Sequence, residues 1–512
     1  MKAFLAGIVL PGLMAVGGVG ALVLWLGIGP ANDLHARLPG LDRPPGAKAG
    51  GSGAAALRGQ LTTGEGKPSS IPGEWPCFRG KNLDGMGHEP LRLARQWPAS
   101  GPPALWSIEL GEGHAGAAVW GGRVYVLDYD RKASADALRC LSLDDGKQIW
   151  CYQYPVDVKR NHGMSRTVPA VNGKYVVSLG PKCHVTCLDA VSGKRIWMLD
   201  LVRQFGASVP QWYAGQCPII EGNRAILAPG GSALLIAVDC QTGQVIWKSP
   251  NPRAWNMTHT SISPMELAGR RMYVYCGKGG VAGVSADDGS ILWDTTDWKI
   301  SIATCPSPVI LPEGKIFFCG GYNSGALLLQ VSESGGQFTA KTLLRLKPDQ
   351  FGSTQHTPIL DQGHLFGVRE KDKQLVCLDL RGRQVWTSGS KQRFGLGPYL
   401  IADGLIYVMD DAGTLTLAEA ATSGYEPLAQ AHVLPGHDSW GPMALVAGRL
   451  LVRDLTRMTC LDVADHSTSP PQSPATAKPL APAELAPAAK PSPPTKDKEE
   501  SSPGPFDEDS EK

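Results

Sequence analysis

From residue 97 to residue 463 the chain alternates short runs rich in Val, Ile, Leu and Tyr with clusters of Gly, Asp, Ser and Thr. Short apolar runs bounded by turn residues predict many short β-strands. Both ends break this pattern. Residues 3–29 are apolar almost throughout, with Lys2 in front and Trp25 near the far end. A signal-peptide core needs only about 7–15 apolar residues and a membrane span about 20. The run therefore predicts an uncleaved transmembrane anchor over 1–29, with a cleaved signal as the alternative; Pro11 and the glycines weaken it as a helix, although bilayer helices tolerate both. Residues 30–72 are rich in Gly, Ala, Pro and Ser and predict a flexible linker. Residues 464–512, rich in Pro, Ser and Ala and then charged, predict a disordered tail.

Within the middle one phrase recurs. It reads Cys140-Leu-Ser-Leu-Asp-Asp-Gly146-Lys-Gln-Ile-Trp150, then Cys187-Leu-Asp-Ala-Val-Ser-Gly193-Lys-Arg-Ile-Trp197, then Ala237-Val-Asp-Cys-Gln-Thr-Gly243-Gln-Val-Ile-Trp247. It returns with Gly289 and Trp293, and in a shorter form with Gly382 and Trp386. Ahead of each copy lies a second run opened by glycine, such as Gly122-Arg-Val-Tyr-Val. A period of roughly 40–50 residues is that of a four-stranded propeller blade. The glycine suits a tight turn that needs positive φ. The tryptophan lands at one place in each unit, where a large flat ring can pack on the neighbouring blade. Cys140, Cys187, Cys377 and Cys460 recur in phase, which marks a small buried packing position.

Degenerate copies place Phe338 and Tyr425 where tryptophan would stand. The last copy, ending at Val463, lacks its outer strand, whereas Trp106 sits in an outer strand without partners. An N-terminal strand that completes the C-terminal blade would close the ring and hide its edges. The expected fold is all-β, an eight-bladed β-propeller over 73–463 with N-/C-terminal closure, or seven blades if one degenerate copy is loop. Trp106, Trp150, Trp197, Trp247, Trp293 and Trp386 are the expected docking residues.

The Ala/Cys-x-Asp-x-x-x-Gly-x-x-x-Trp phrase resembles the tryptophan-docking repeat of quinoprotein-type (PQQ-like) propellers. Trp75-Pro-Cys-Phe-Arg-Gly-Lys-Asn-Leu-Asp-Gly85 is similar to a lead-in that often precedes such propellers in planctomycete-like bacteria. The resemblance spans about residues 75–463. It implies a group holding both pyrroloquinoline-quinone (PQQ) dehydrogenases and non-enzymatic, BamB-like relatives, so it speaks to fold far more than to function.

Charge is balanced, 49 Lys+Arg against 47 Asp+Glu, which gives no basic field for nucleic acid. The 12 cysteines form no Cys-x-x-Cys pair, which argues against zinc-finger and thioredoxin chemistry. A PQQ dehydrogenase needs a carboxylate base and a calcium site of carboxylate and amide oxygens. The acidic residues mostly lie in turn phrases, no adjacent-cysteine pair is present, and no metal site can be assembled. No catalytic residue is therefore assigned and no cofactor is expected, with PQQ plus calcium as the alternative. The segments leading into the inner strands should ring one channel mouth. They carry His114, His162, Arg166, Trp212, Tyr213, His259, Gln355, His356, Arg393 and Trp440, a candidate site for a protein loop or small ligand. Hydrogen bonding to free blade edges by the same side chains is the competing reading. The leading functional expectation is a non-catalytic, membrane-tethered scaffold outside the cytoplasm. A PQQ oxidoreductase and a carbohydrate-binding propeller are the alternatives.

Overall fold

The computed structural model describes residues 16–20, 57–299, 302–303 and 305–468. It divides into two units, Met1–Arg58 and Gly59–Lys512. Most of the expected anchor and tail lies outside the described residues. Among those described, no helix is long and apolar enough to cross a membrane.

The second unit contains eight antiparallel sheets, each with a four-stranded up-and-down core. Blade 1 runs from inner strand Ala117–Trp120 to outer strand Gln148–Pro155. The inner strands that follow begin at Ala170, Ile219, Ser263, Val309, Ile359 and Tyr399. Blade 8 has only three strands of its own, Ala444–Val446, Arg449–Arg453 and Arg457–Asp462. Ala104–Glu109 supplies the fourth, with Trp106 opposite Cys460. The ring is thus eight blades closed by strand exchange between its ends, and seven is excluded.

Three more strands come from the segment ahead of the ring. Gln60–Thr63 pairs with the outer edge of blade 1, Glu74–Trp75 with its inner edge, and Met86–Gly87 runs parallel to the inner strand of blade 7. Residues 60–63, expected to be linker, are therefore sheet. Leu61-Thr62-Thr63 has the β propensity to fill an open ladder edge, a signal hidden by the surrounding Gly- and Pro-rich composition.

The repeat phrase acts through register. Cys140 faces Trp150, Cys187 faces Trp197, Ala237 faces Trp247, Gly283 faces Trp293 and Cys377 faces Trp386, and a β-bulge follows each pair. A small residue opposite leaves the indole free to lean onto the next blade. For Trp106, Trp150, Trp197 and Trp247 it lies there over the turn glycine. A Cβ added to Gly193, Gly243 or Gly289 would stand 2.6, 2.7 or 2.5 Å from the ring of Trp150, Trp197 or Trp247. These glycines also hold φ of 72–77°, a left-handed conformation that side chains disfavour. The indole N–H completes the contact. Trp106 donates to the Leu143 carbonyl, Trp197 to Cys240, Trp247 to Ala286 and Trp386 to Ala421, at 2.8–3.2 Å. Trp150 has no acceptor because the Tyr125 hydroxyl occupies the equivalent Ala190 carbonyl at 3.0 Å. All six docking tryptophans are buried, and the in-phase cysteines are buried and unpaired.

Phe338 and Tyr425 do not occupy the tryptophan position. In blade 5 the bulge lies at Leu328/Leu329, which sets Leu344 opposite Leu328, while Phe338 pairs with Glu333 near the hairpin tip. The strands there run ten residues each, so the turn lies far from the docking register. In blade 7 the bulge at Leu417/Ala418 puts Ala429 in register. Tyr425 lies in the preceding turn, its ring centroid 5.9 Å from that of Trp386.

The docking contact predicts that Trp247→Ala lowers stability by about 3–5 kcal/mol, as for other buried aromatics. Gly289→Ala should also destabilise, and the double variant should cost measurably less than the sum, because both changes break one contact. Denaturant melts of the four proteins give the cycle; strict additivity would show that ring and glycine do not support each other.

Candidate functional site

The segments that lead into the inner strands converge on one mouth of the channel and enclose a cavity of about 290 Å³. Eight of the ten residues singled out in the sequence line it: His114, His162, Arg166, Trp212, His259, Gln355, His356 and Trp440. Two do not. Tyr213 turns away from its neighbour Trp212, donates its hydroxyl to the Lys159 carbonyl at 2.6 Å and packs with Tyr129, Val158 and Met164. Arg393 is exposed and donates to the Ser390 carbonyl, and Leu396 represents that segment in the wall instead. Phe78 and Tyr322 line the cavity unannounced. Tyr322 lies in the hairpin turn between the second and third strands of blade 5, and Phe78 belongs to the lead-in phrase, whose place in space no local pattern reveals.

Arg166 is the one charged side chain among the described lining residues. Its guanidinium donates to the backbone carbonyls of Trp212, Asn161 and His162, the last two at 2.6 and 2.9 Å. Burial pulls its pKa down to about 10, so it stays a cation. No carboxylate lines the cavity to balance it.

Three of the four lining imidazoles, those of His114, His259 and His356, are neutral. Burial, then the charges of Arg166 and Arg453, hold His114 down at about 3. Burial, then Arg166, holds His259 at about 4; burial, then Arg79, does the same for His356. His114 Nε2 lies 3.0 Å from the His162 carbonyl and must carry the proton, since a carbonyl only accepts. The backbone of Gln211 and Tyr213 beside His259, and of Leu396 beside His356, favours protonation but does not outweigh burial. Nδ1 of His114 and Nε2 of the other two are buried and have no protein partner. Nδ1 of His114 is therefore a bare acceptor, and Nε2 of His259 and of His356 each lack a hydrogen-bond partner.

Aromatic rings complete the wall. Trp440 lies 5.0 Å from His114, and Trp212 stacks on Tyr322 with centroids 6.3 Å apart and planes 9° from parallel. His162, Trp212 and Tyr322 all hold positive φ, at 50°, 63° and 55°. Bulky side chains avoid this region, and such outliers concentrate at ligand sites.

Not every polar group near the mouth is free for a ligand. Two residues ahead of each inner strand runs a belt that joins blades 2 to 6. Val168 N–H donates to Cys217 Sγ, Cys217 N–H to Ser261 Oγ, Ser261 N–H to Ser307 Oγ and Ser307 N–H to Thr357 Oγ1. Hydrogen bonding to blade edges is therefore the work of the Ser, Thr and Cys side chains, not of the histidines. The belt stops where Gly397, Pro442 and Ala115 occupy its register. The lead-in adds contacts at both ends of the belt. Arg79 donates to the Thr357 and Pro358 carbonyls at 2.8 and 3.1 Å, and Pro76 accepts from Val171 N–H at 2.8 Å. Phe78 forms part of the mouth cavity, whereas Cys77 and Arg79 on either side of it line a second cavity of about 730 Å³ at the other ends of the inner strands. The lead-in thus stands across the channel as a floor.

This donor set does not fit PQQ with calcium. Calcium asks for six to eight oxygen ligands, carboxylates among them, and alcohol oxidation asks for a carboxylate base. The cavity offers neither. The carboxylates of the repeat are engaged in turns, as where Asp189 accepts from Ser192 N–H at 2.7 Å and Asp239 from Thr242 N–H at 2.7 Å. Among the described residues no group of three His, Cys, Asp or Glu could hold a metal ion.

A family model of PQQ-like repeats, described as outer membrane protein assembly factor BamB, matches residues 136–381. The assembly factor BamB of Moranella endobia (strain PCIT) is 21% identical over 298 residues, covering 55% of this chain and 72% of that protein. Among solved structures, BamB from Moraxella catarrhalis aligns with a TM-score of 0.49 at 14% identity, over 70% of this chain and all of that one. The quinohemoprotein alcohol dehydrogenase from Comamonas testosteroni aligns at 0.46 and 11%, over 79% of this chain and 82% of that one.

The depressed histidines give a pH prediction. Folded-state values near 3–4 against about 6.5 in the unfolded chain mean that stability is complete above pH 6.5 and declines as pH falls towards 4. Asp136, whose buried carboxyl is pushed up to about 7, works in the opposite sense over the same window, so the informative quantity is a difference. Between pH 7 and pH 5 the wild type should lose about 1–2 kcal/mol more than His356→Leu. Parallel stability–pH curves in urea would show that His356 titrates alike in both states.

Proposed function

We propose that this PQQ-like β-propeller of the BamB type is a non-catalytic scaffold for a protein partner, tethered through residues 1–29 to a membrane and working outside the cytoplasm. The observation that carries the protein-binding reading is on the outer strands. The residue before each docking tryptophan points outward, and several are exposed aliphatics: Ile196 at 38%, Ile246 at 46% and Val385 at 45%. An exposed strand edge studded with branched side chains is a liability unless something pairs with it. In blade 1 something does, because Gln60–Thr63 adds to the outer strand, with Thr63 opposite Trp150. The same ladder geometry at blades 3 and 6 suits addition of a partner's strand.

The relative from Moranella endobia is named for outer membrane protein assembly, a task of binding other proteins, and that accords with a scaffold. The cavity at the mouth supports the non-catalytic part, since it presents a cation and neutral imidazoles without a carboxylate base. The tether rests on the length and apolarity of residues 3–29.

The test is co-purification of the full chain from its native membrane, with and without Ile246→Lys and Val385→Lys. The charged variants should keep the melting midpoint and lose the stoichiometric partner by about tenfold or more, since a lysine at the centre of a paired edge opposes strand addition. Retention of the partner by both variants would refute docking at these edges. In parallel, PQQ and calcium at micromolar concentration should give no dye reduction with simple alcohols; turnover would overturn the non-catalytic reading.

A further inference from the structure

We infer that the mouth cavity is a binding site for an acidic monosaccharide unit, a pyranose that carries one carboxylate, such as a uronic acid. The inference does not rest on the scaffold reading and concerns a different surface.

Complementarity fixes the ligand class. Arg166 brings a positive charge with no carboxylate to neutralise it, and its Nη1 finds no acceptor among the described residues. A ligand that fills the cavity therefore gains from one anionic group that a guanidinium can grip. A second anionic group would meet no second cation.

The histidines ask for the opposite. His114 is 7% exposed and His259 9%, and the bare nitrogen on each, like that on His356, has no partner. A buried polar atom without a partner is costly, so these atoms await hydrogen-bond partners. They stand on three separate blades, ahead of the inner strands that begin at Ala117, Ser263 and Ile359. Three groups that can donate or accept, spread around one small body, describe hydroxyl groups on a ring. An aromatic acid would supply the carboxylate but leave the imidazoles unanswered, and a metal ion would need them closer together than they are.

The walls and volume agree. Trp212 and Trp440 offer flat apolar surface, against which the C–H face of a pyranose can lie. About 290 Å³ is at the small end for ligand pockets. Phe78 contributes to the floor, which suits a terminal unit and prevents a polymer from threading the channel.

The test uses the full chain, titrated with glucuronate, glucose and benzoate and followed by calorimetry and by tryptophan fluorescence, since Trp212 and Trp440 line the site. Glucuronate should bind by about 10 mM, tenfold above a millimolar affinity, and glucose should bind at least about tenfold more weakly, the usual worth of a charge-assisted hydrogen bond. Arg166→Gln should erase that ratio. Because Arg166 also ties down rim carbonyls, His356→Leu serves as the second variant. It should weaken glucuronate and glucose alike while the ratio between them persists. Equal affinity for glucuronate and glucose, binding of benzoate as tight as that of glucuronate, or no glucuronate binding by about 10 mM would each overturn the inference. Binding of an acidic peptide such as tetra-glutamate, in place of glucuronate, would reassign the cavity to a protein loop.

Discussion

An indole ring laid across a glycine turn holds four of the blade junctions, those of Trp106, Trp150, Trp197 and Trp247. The glycine is needed twice over, once for its left-handed φ and once because a Cβ would strike the ring. The tryptophan is needed for its area and, at all of these but Trp150, for the N–H that satisfies a turn carbonyl of the next blade. Neither residue can change without orphaning the other. Repeat arrays draw their stability from such nearest-neighbour interfaces, and closing the array into a ring gives every blade two of them. The contact is thinnest where Leu344 and Ala429 replace the indole. Blade 5 compensates with its long hairpin, whose Phe338 packs against the cluster holding Trp293, and Tyr425 of blade 7 leans on Trp386.

Ring closure creates a second problem, because the inner strands face each other across a channel with their edge N–H groups bare. Two devices divide that task. Blades 2 to 6 use a belt of Cys, Ser and Thr side chains, each accepting from the neighbouring blade. The lead-in adds its own carbonyls, with Pro76 accepting from Val171 N–H of blade 2 and Gly85 from Ile401 N–H of blade 7. With edge satisfaction assigned to these groups, the histidines at the mouth keep one ring nitrogen each to spare. The chemistry of the cavity is thus what the structural hydrogen bonds leave over.

The blade count and the closing strand were legible because they repeat, and repetition makes a weak local signal add up. Register was not. The bulge that sets the docking position has no sequence marker, so counting from the turn misplaced Phe338 and Tyr425. Proximity to an inner strand found most of the cavity lining, but not the direction of each side chain. Trp212 and Tyr213 are adjacent and both at positive φ, yet one enters the cavity and the other leaves it. Phe78 and the paired Gln60–Thr63 were out of reach for a different reason: they occur once, and their partners lie far along the chain. Composition described residues 60–63 as linker because it cannot register an available edge.

The floor of the channel carries a consequence for assembly. The lead-in precedes every blade in the chain, yet it contacts blades 1, 2, 6, 7 and 8. The strand that holds Trp106 likewise pairs only with the last blade, some 350 residues further on. Until that blade has been synthesised, the strand lacks the partner it has in the finished ring, and an unpaired strand edge is adhesive.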